Sequence, residues 1–232
     1  MDAGIARVLV DLEKLDKAQR QAGKQLHLSA LDWDDVAAVR AVLPAGALMV
    51  RLDPLHENTR GQIDKAIDLG ADRLMLPYFS SSDSVFRFCD LVAGRVPVVP
   101  LVERVAAVHD APRLMESRAV AEFHVGMNDL AIDCGAASHL DLWTAPLIVD
   151  LAEEARRQRH AFGIGGVTDP RCSGLPIDPG WIIAQQARLG SSASLLGRHF
   201  RSSIGDPDAP QLTEAVAAIQ ELFRTVARDI PR

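Results

Sequence analysis

Pro100-Leu101-Val102-Glu103-Arg104 and Gly126-Met127-Asn128-Asp129-Leu130 each carry an apolar run into an acidic residue. Two earlier runs end alike, in Asp11-Leu12-Glu13 and in Val50-Arg51-Leu52-Asp53. Short apolar runs of about four to eight residues bounded by polar residues read as strands buried on both faces. Such strands belong to parallel sheets. When several of them finish in carboxylates, with an arginine among them, their ends converge on a cation. In a parallel barrel that end of the strands is where chemistry is placed.

Outward from these phrases, β-rich runs alternate with helical patterns. Strands are predicted over Ile5–Leu12, Ala47–Leu52, Arg73–Pro77, Val96–Val102, Glu122–Met127, Ala161–Val167 and Ser194–Leu196, with a weaker one over Gln25–Ser29. Helices are predicted over Lys14–Lys24, Asp32–Leu43, Thr59–Leu69, Ser82–Val92, Asp110–Arg118, Leu142–Arg159, Pro179–Leu189 and Thr213–Arg228. Alternation of this kind implies a parallel α/β sheet. Eight such strands close a (β/α)8 TIM barrel of one domain, residues 1–232. An open doubly wound sheet needs a glycine-rich turn after its first strand. Here that turn is Asp11-Leu12-Glu13-Lys14, whose carboxylates repel phosphate.

Bulk properties narrow the function classes. The net charge is −6, and no basic stripe suited to nucleic acid stands out. The basic run Arg156-Arg157-Gln158-Arg159-His160 falls at a predicted helix C-terminus, where cations complement the dipole. Cys89, Cys134 and Cys172 are odd in number and far apart, so they form neither a metal spacing nor a disulfide framework. No apolar run approaches the roughly 18–20 residues of a membrane span, and the start lacks a signal-peptide pattern. A cytoplasmic protein is expected, without nucleic acid or membrane as partner.

Side chains alternate along a strand. Leu9, Asp11 and Glu13 share a face, as do Arg51 and Asp53, and Val99, Leu101 and Glu103. Continued through Val125, Met127 and Asp129, the same count brings Asp129 to the mouth beside Glu103. Two carboxylates there suit a hard cation such as Mg²⁺ or Mn²⁺. Against that stands the structural reading, in which each acid caps a helix or pairs with an arginine. By the same alternation His124 lies on the opposite face, packed under the helices. His27 and His56 fall near the mouth as alternative bases. Gly163-Ile164-Gly165-Gly166 reads as a tight turn rather than a phosphate cradle, and Thr168–Pro179 as a loop able to act as a lid.

In this order, Asp11-Leu12-Glu13, Val50-Arg51, Gly70-Ala71-Asp72 with Leu76-Pro77, Val102-Glu103 and Gly126-Met127-Asn128-Asp129-Leu130-Ala131 resemble the HpcH/HpaI aldolase and citrate lyase β-subunit family, over roughly Ile5–Phe200. The resemblance implies a phosphoenolpyruvate/pyruvate-type barrel. It makes Glu103 and Asp129 the carboxylates that hold Mg²⁺ or Mn²⁺. Arg51 becomes the arginine on the keto or enolate oxygen, and Gly126 and Met127 the backbone that receives the substrate carboxylate. Asp11, Glu13 and Lys14 are accessory. The chain departs from the aldolase branch at Lys14, where that branch has His, and at Leu101, where it has Gln, so no acid/base residue is carried over. The implied activity is a metal-dependent carbon–carbon lyase acting on a 2-keto acid or related carboxylate through an enolate. An acyl-CoA lyase or hydrolase of the citrate-lyase-like branch, or a non-catalytic barrel that binds a metabolite or partner, are the other readings. Homo-trimers or hexamers are implied as well, with the C-terminal helix at the contact.

Overall fold

The computed structural model of the protein describes residues 3–15, 29–204 and 209–230. The helix expected over Lys14–Lys24 falls almost wholly outside them, as does His27. The backbone forms two compact units, residues 7–139 and residues 3–6 with 140–230.

The first unit holds strands β1 (Val8–Asp11), β2 (Leu48–Arg51), β3 (Arg73–Leu76), β4 (Val98–Val102) and β5 (Glu122–Val125). Each pairs in parallel with the next, in chain order. Because β1 pairs directly with β2, no strand comes between them. The strand expected over Gln25–Ser29 lies outside the described residues except for Ser29. Helices α1 (Trp33–Val42), α2 (Thr59–Asp68), α3 (Ser82–Val92) and α4 (Val105–Glu116) connect the strands, and a short α5 (Met127–Asp133) follows β5.

Local chemistry sets these boundaries. Asp32 and Asp35 close a capping box that starts α1. Gly70 ends the turn after α2 at φ +87°, and an added Cβ there would strike Arg40 Cδ at 2.6 Å. Asp72 is the lower tie of the sheet. It accepts the Leu48 amide at 2.9 Å and Arg40 Nη1 at 2.7 Å.

One face of β1 to β4 packs Leu9, Met49, Met75, Val99 and Leu101 into a single cluster. Val10, Leu48, Val50, Leu74, Leu76, Val102, Phe123 and Val125 are buried on the other. A sheet covered on both faces needs such unbroken apolar strands, which explains their legibility in the sequence. The first face runs down to an ion-paired floor, where Glu122 meets Arg7 and, at 3.9 Å, Arg73. His124 pairs in register with Leu101. Register partners point to the same side, so His124 belongs to the Leu9–Leu101 face and not under the helices. It is 3% exposed, and its Nδ1 has no hydrogen-bond partner among the described residues.

The second unit pairs β6 (Ala161–Val167) in parallel with β7 (Ala193–Leu196). Its helices are α6 (Pro146–Arg157), α7 (Pro179–Leu189), α8 (Arg198–Ile204) and α9 (Ala209–Arg228), preceded by a 3₁₀ turn over His139–Thr144. Asp178 caps α7 through the Gly180 amide, and Gly190 ends it at φ +81°. Helix α9 packs along α7 and begins four residues before the predicted start. Gly163, Ile164 and Gly165 pair with Ala193, Ser194 and Leu195, with a register shift before Val167. The glycine run is thus strand, and forms no loop around an anion. No helix among the described residues is long and apolar enough to cross a membrane.

Candidate active site

The interior face continues upward from Leu9, Met49 and Leu101 to Asp11, Arg51 and Glu103, two residues further along each strand. Arg51 forks onto Asp11, with Nε 2.7 Å from Oδ1 and Nη2 2.5 Å from Oδ2. Glu13 Oε2 stands 3.5 Å from the same Nε. The Glu13 amide donates to Asp11 Oδ1 at 3.1 Å, so Asp11 sets both the arginine and the turn after β1. Burial works against the Arg51 charge. The Asp11 hydrogen bond and the charges of Asp11, Glu13 and Glu103 outweigh it and raise the guanidinium pKa above its ordinary value. Nη1 has no hydrogen-bond partner among the described residues.

Glu103 follows β4 and is 3% exposed. Its Oε1 accepts the Tyr78 amide at 2.8 Å. Burial, then Glu13, pushes the carboxyl pKa up to about 8; Asp129 adds to the rise, while Arg51 and the Tyr78 amide oppose it. Gly126 lies against this group. A Cβ added there would meet Glu103 Oε2 at 2.6 Å and Glu103 Cβ at 2.9 Å, so only glycine lets β5 pass so close. The Gly126 amide donates to Val102 O at 2.9 Å, and its carbonyl accepts the Leu130 amide at 3.1 Å.

Asp129 reaches the site by another route than the strand count assumed. Strand β5 stops at Val125, and Asp129 sits in the first turn of α5. There it is 7% exposed and close enough to Glu103 to raise its pKa. Glu13, Glu103 and Asp129 are therefore three buried acids in one neighbourhood, with Arg51 as a cation facing them.

Lys14 is exposed, and its amide donates to Asp53 Oδ1 at 2.7 Å, alongside the Leu15 amide at 2.8 Å. Gln62 Nε2 holds the second Asp53 oxygen at 2.7 Å. Burial opposes ionisation of Asp53, but these donors hold its carboxyl below the usual carboxylate range. Asp53 thus secures the turn that carries Glu13. His56 is spent locally, with Nδ1 3.0 Å from both Pro54 O and Thr59 Oγ1.

Sequence reasoning missed two residues here. Tyr78 holds Glu103 from a left-handed backbone, φ +48°, which no residue pattern announces. Arg104 lies 5.0 Å over the Tyr78 ring. A metal fits the donor set in one sense: hard, buried oxygen ligands with excess negative charge suit Mg²⁺ or Mn²⁺, which keep several waters. Among the described residues no group of three or more His, Cys, Asp or Glu side chains is disposed to enclose an ion.

The described residues form a parallel α/β fold of the (β/α)8 type, seven strands alternating with helices, with acids gathered after β1 and β4 and in the first turn of α5. Its solved likenesses include an HpcH/HpaI aldolase/citrate lyase family protein from Burkholderia cenocepacia (TM-score 0.64, 16% identity, 97% of this chain and 86% of that one). The HpcH/HpaI aldolase from Desulfitobacterium hafniense gives 0.57 at 17% identity, over 99% and 95%. Citrate synthase SbnG gives 0.60 at 16% identity, over 97% and 86%. The chain shares the fold of these proteins over nearly its whole length. No protein-family sequence model matches it, and no curated protein matches it in sequence.

Proposed function

We propose that the protein is a divalent-metal-dependent carbon–carbon lyase acting on a 2-keto acid or related carboxylate through an enolate. The observation that carries this reading is Glu103, an acid buried beside Glu13 and Asp129 and pushed up to about 8. Buried like charges of this kind mark functional sites. Glu103 and Asp129 would hold Mg²⁺ or Mn²⁺, and the bound ion supplies Lewis-acid stabilisation of charge on the substrate oxygens. Arg51 stays cationic at any working pH, its orientation fixed by Asp11. Its Nη1 is the donor offered to the oxygen on which enolate charge develops, where a preorganised partner is worth most. Asp11 and Glu13 thus orient the arginine without touching substrate. The names of the solved likenesses, aldolase and citrate synthase, agree with carbon–carbon chemistry on such an oxygen-rich substrate.

Glu103→Ala and Asp129→Ala should lose Mn²⁺ binding, read by electron paramagnetic resonance, while keeping native circular dichroism. Unchanged affinity in both variants would refute the metal assignment. Incubation with pyruvate and Mg²⁺ in D₂O should exchange the methyl protons. Arg51→Ala should bind the ion and exchange at least ten times more slowly. A wild-type chain that binds the ion but shows no exchange would favour a non-catalytic barrel instead.

A further inference from the structure

Arg104 follows Glu103 and, in extended backbone, caps the start of α4. Successive side chains of an extended segment point to opposite sides, so Glu103 faces the interior while Arg104 turns to the rim. There its guanidinium does three things. It lies 5.0 Å over the Tyr78 ring. Its Nη1 donates to Ser80 Oγ at 2.6 Å, and its Nε reaches Asp133 Oδ1 at 3.4 Å. Asp133 closes α5, the helix whose first turn carries Asp129, and its other oxygen accepts the Val105 amide at 2.8 Å.

Tyr78 holds Glu103 Oε1 through its amide, at the positive φ of 48°. A bulky residue there is strained and persists only when its surroundings over-determine it. Arg104 supplies that constraint by stacking on the ring and binding Ser80 two residues on. One side chain therefore joins the turn that grips Glu103, the segment that bears Glu103 and the helix that bears Asp129. We infer that Arg104 is a positioning residue, a clamp that sets Tyr78 against Glu103 and fixes the two acids relative to each other. The inference rests on the proposed site for its consequence, weaker ion binding, but the Tyr78–Glu103 link can be read without any metal.

The test is amide hydrogen exchange at Tyr78 in the metal-free chain, with Mn²⁺ affinity as a second readout. In Arg104→Ala the Tyr78 amide should exchange at least tenfold faster, with neighbouring β3 amides unchanged. Mn²⁺ should bind about 10–100 times more weakly, the usual effect of losing support behind a metal ligand. If Arg104→Ala fails to fold, Arg104→Lys replaces it; this variant keeps the charge but loses the fork, and at least a threefold faster Tyr78 exchange is expected. Wild-type Tyr78 protection in the folded variant overturns the clamp. So does wild-type Mn²⁺ affinity, provided Glu103→Ala abolishes binding. Should Glu103→Ala instead bind Mn²⁺ normally, the metal assignment falls, and Tyr78 exchange alone decides the clamp.

Discussion

Burial of His124 should make the fold acid-sensitive. Burial, aided by the nearby Arg7 charge and opposed by Glu122, lowers the imidazole pKa from its ordinary 6.5 to about 4. The folded state thus favours the neutral ring, whereas the unfolded chain takes up a proton near pH 6.5. Above that pH neither state is protonated and the full stability is present. As pH falls from 6.5 to 4 the unfolded state gains a proton that the folded state refuses, and stability is lost. The gap between the two pKa values corresponds to about 3 kcal/mol across that window. Below pH 4 both states are protonated and this loss levels off. Other groups titrate in the same range, so the comparison is with His124→Leu, which fills similar space without a titrating atom. Urea unfolding at pH 7 and pH 4 should give a drop larger in wild type than in the variant by about 3 kcal/mol. Parallel profiles, within the error of extrapolation, would refute both the burial of the neutral ring and its placement on the interior face.

Three further outcomes follow from single contacts. Gly126→Ala drives a methyl group into Glu103, so it should lose about 1–3 kcal/mol in urea unfolding and at least tenfold in Mn²⁺ affinity; wild-type affinity would show that β5 does not set the Glu103 position. Asp110 accepts the Ser82 amide at 2.6 Å and its hydroxyl at 2.5 Å, and the Ser82 hydroxyl leads in holding its carboxyl low. Asp110→Asn should therefore cost about 1–2 kcal/mol at pH 7, a difference that shrinks as pH falls through the native Asp110 pKa; equal unfolding midpoints at pH 7 would remove that link from α3–α4 packing. Glu103→Gln keeps an acceptor for the Tyr78 amide without the buried charge. In chelator-treated samples it should unfold at an equal or higher urea concentration than wild type. Added Mn²⁺ should then stabilise only the wild type, by about 3 kcal/mol at a hundredfold excess over Kd. A lower midpoint for the chelated variant would refute the view that Glu103 is placed for binding rather than for stability.

The strands were legible because a sheet buried on both faces needs unbroken apolar runs, and their bounds agree to within a few residues. Glu103 was legible for the same reason, since alternation from Val99 and Leu101 runs straight into it. Asp129 was counted along a strand that the backbone has already left. Gly126 starts α5 with no side-chain cap, so the apolar pattern of β5 reads on through Met127 although the backbone has already turned helical. The same miscount put His124 on the wrong face: counting back from Met127 crosses a helix boundary, whereas the register with Leu101 does not. Helix α4 begins at Val105, five residues before Asp110; its N-cap residue Arg104 makes no side-chain capping hydrogen bond, so the sequence carries no start signal there. Asp110, the residue that looked like a start signal, instead ties α4 to Ser82 of α3.

What the sequence could not show is how the acids are held once they converge. Glu13, Glu103 and Asp129 together oppose folding, since burying carboxylates beside one another is among the least favourable arrangements a core can contain. The surrounding residues answer that cost one by one. Asp11 secures Arg51, Asp53 secures the turn of Glu13, Gly126 leaves room for Glu103, and Tyr78 donates to it from a strained backbone. Each of these supports is a separate place where stability is given up or spent on geometry, and they gather at one end of five parallel strands. A structural ion pair needs one partner and tolerates drift. Arg51 answers part of the repulsion between Glu13 and Glu103, and in the proposed function a bound divalent cation would answer more of it. Carbon–carbon cleavage through an enolate gains from positive charge at the developing oxygen, and that gain links the acids and Arg51 of this rim to the proposed reaction.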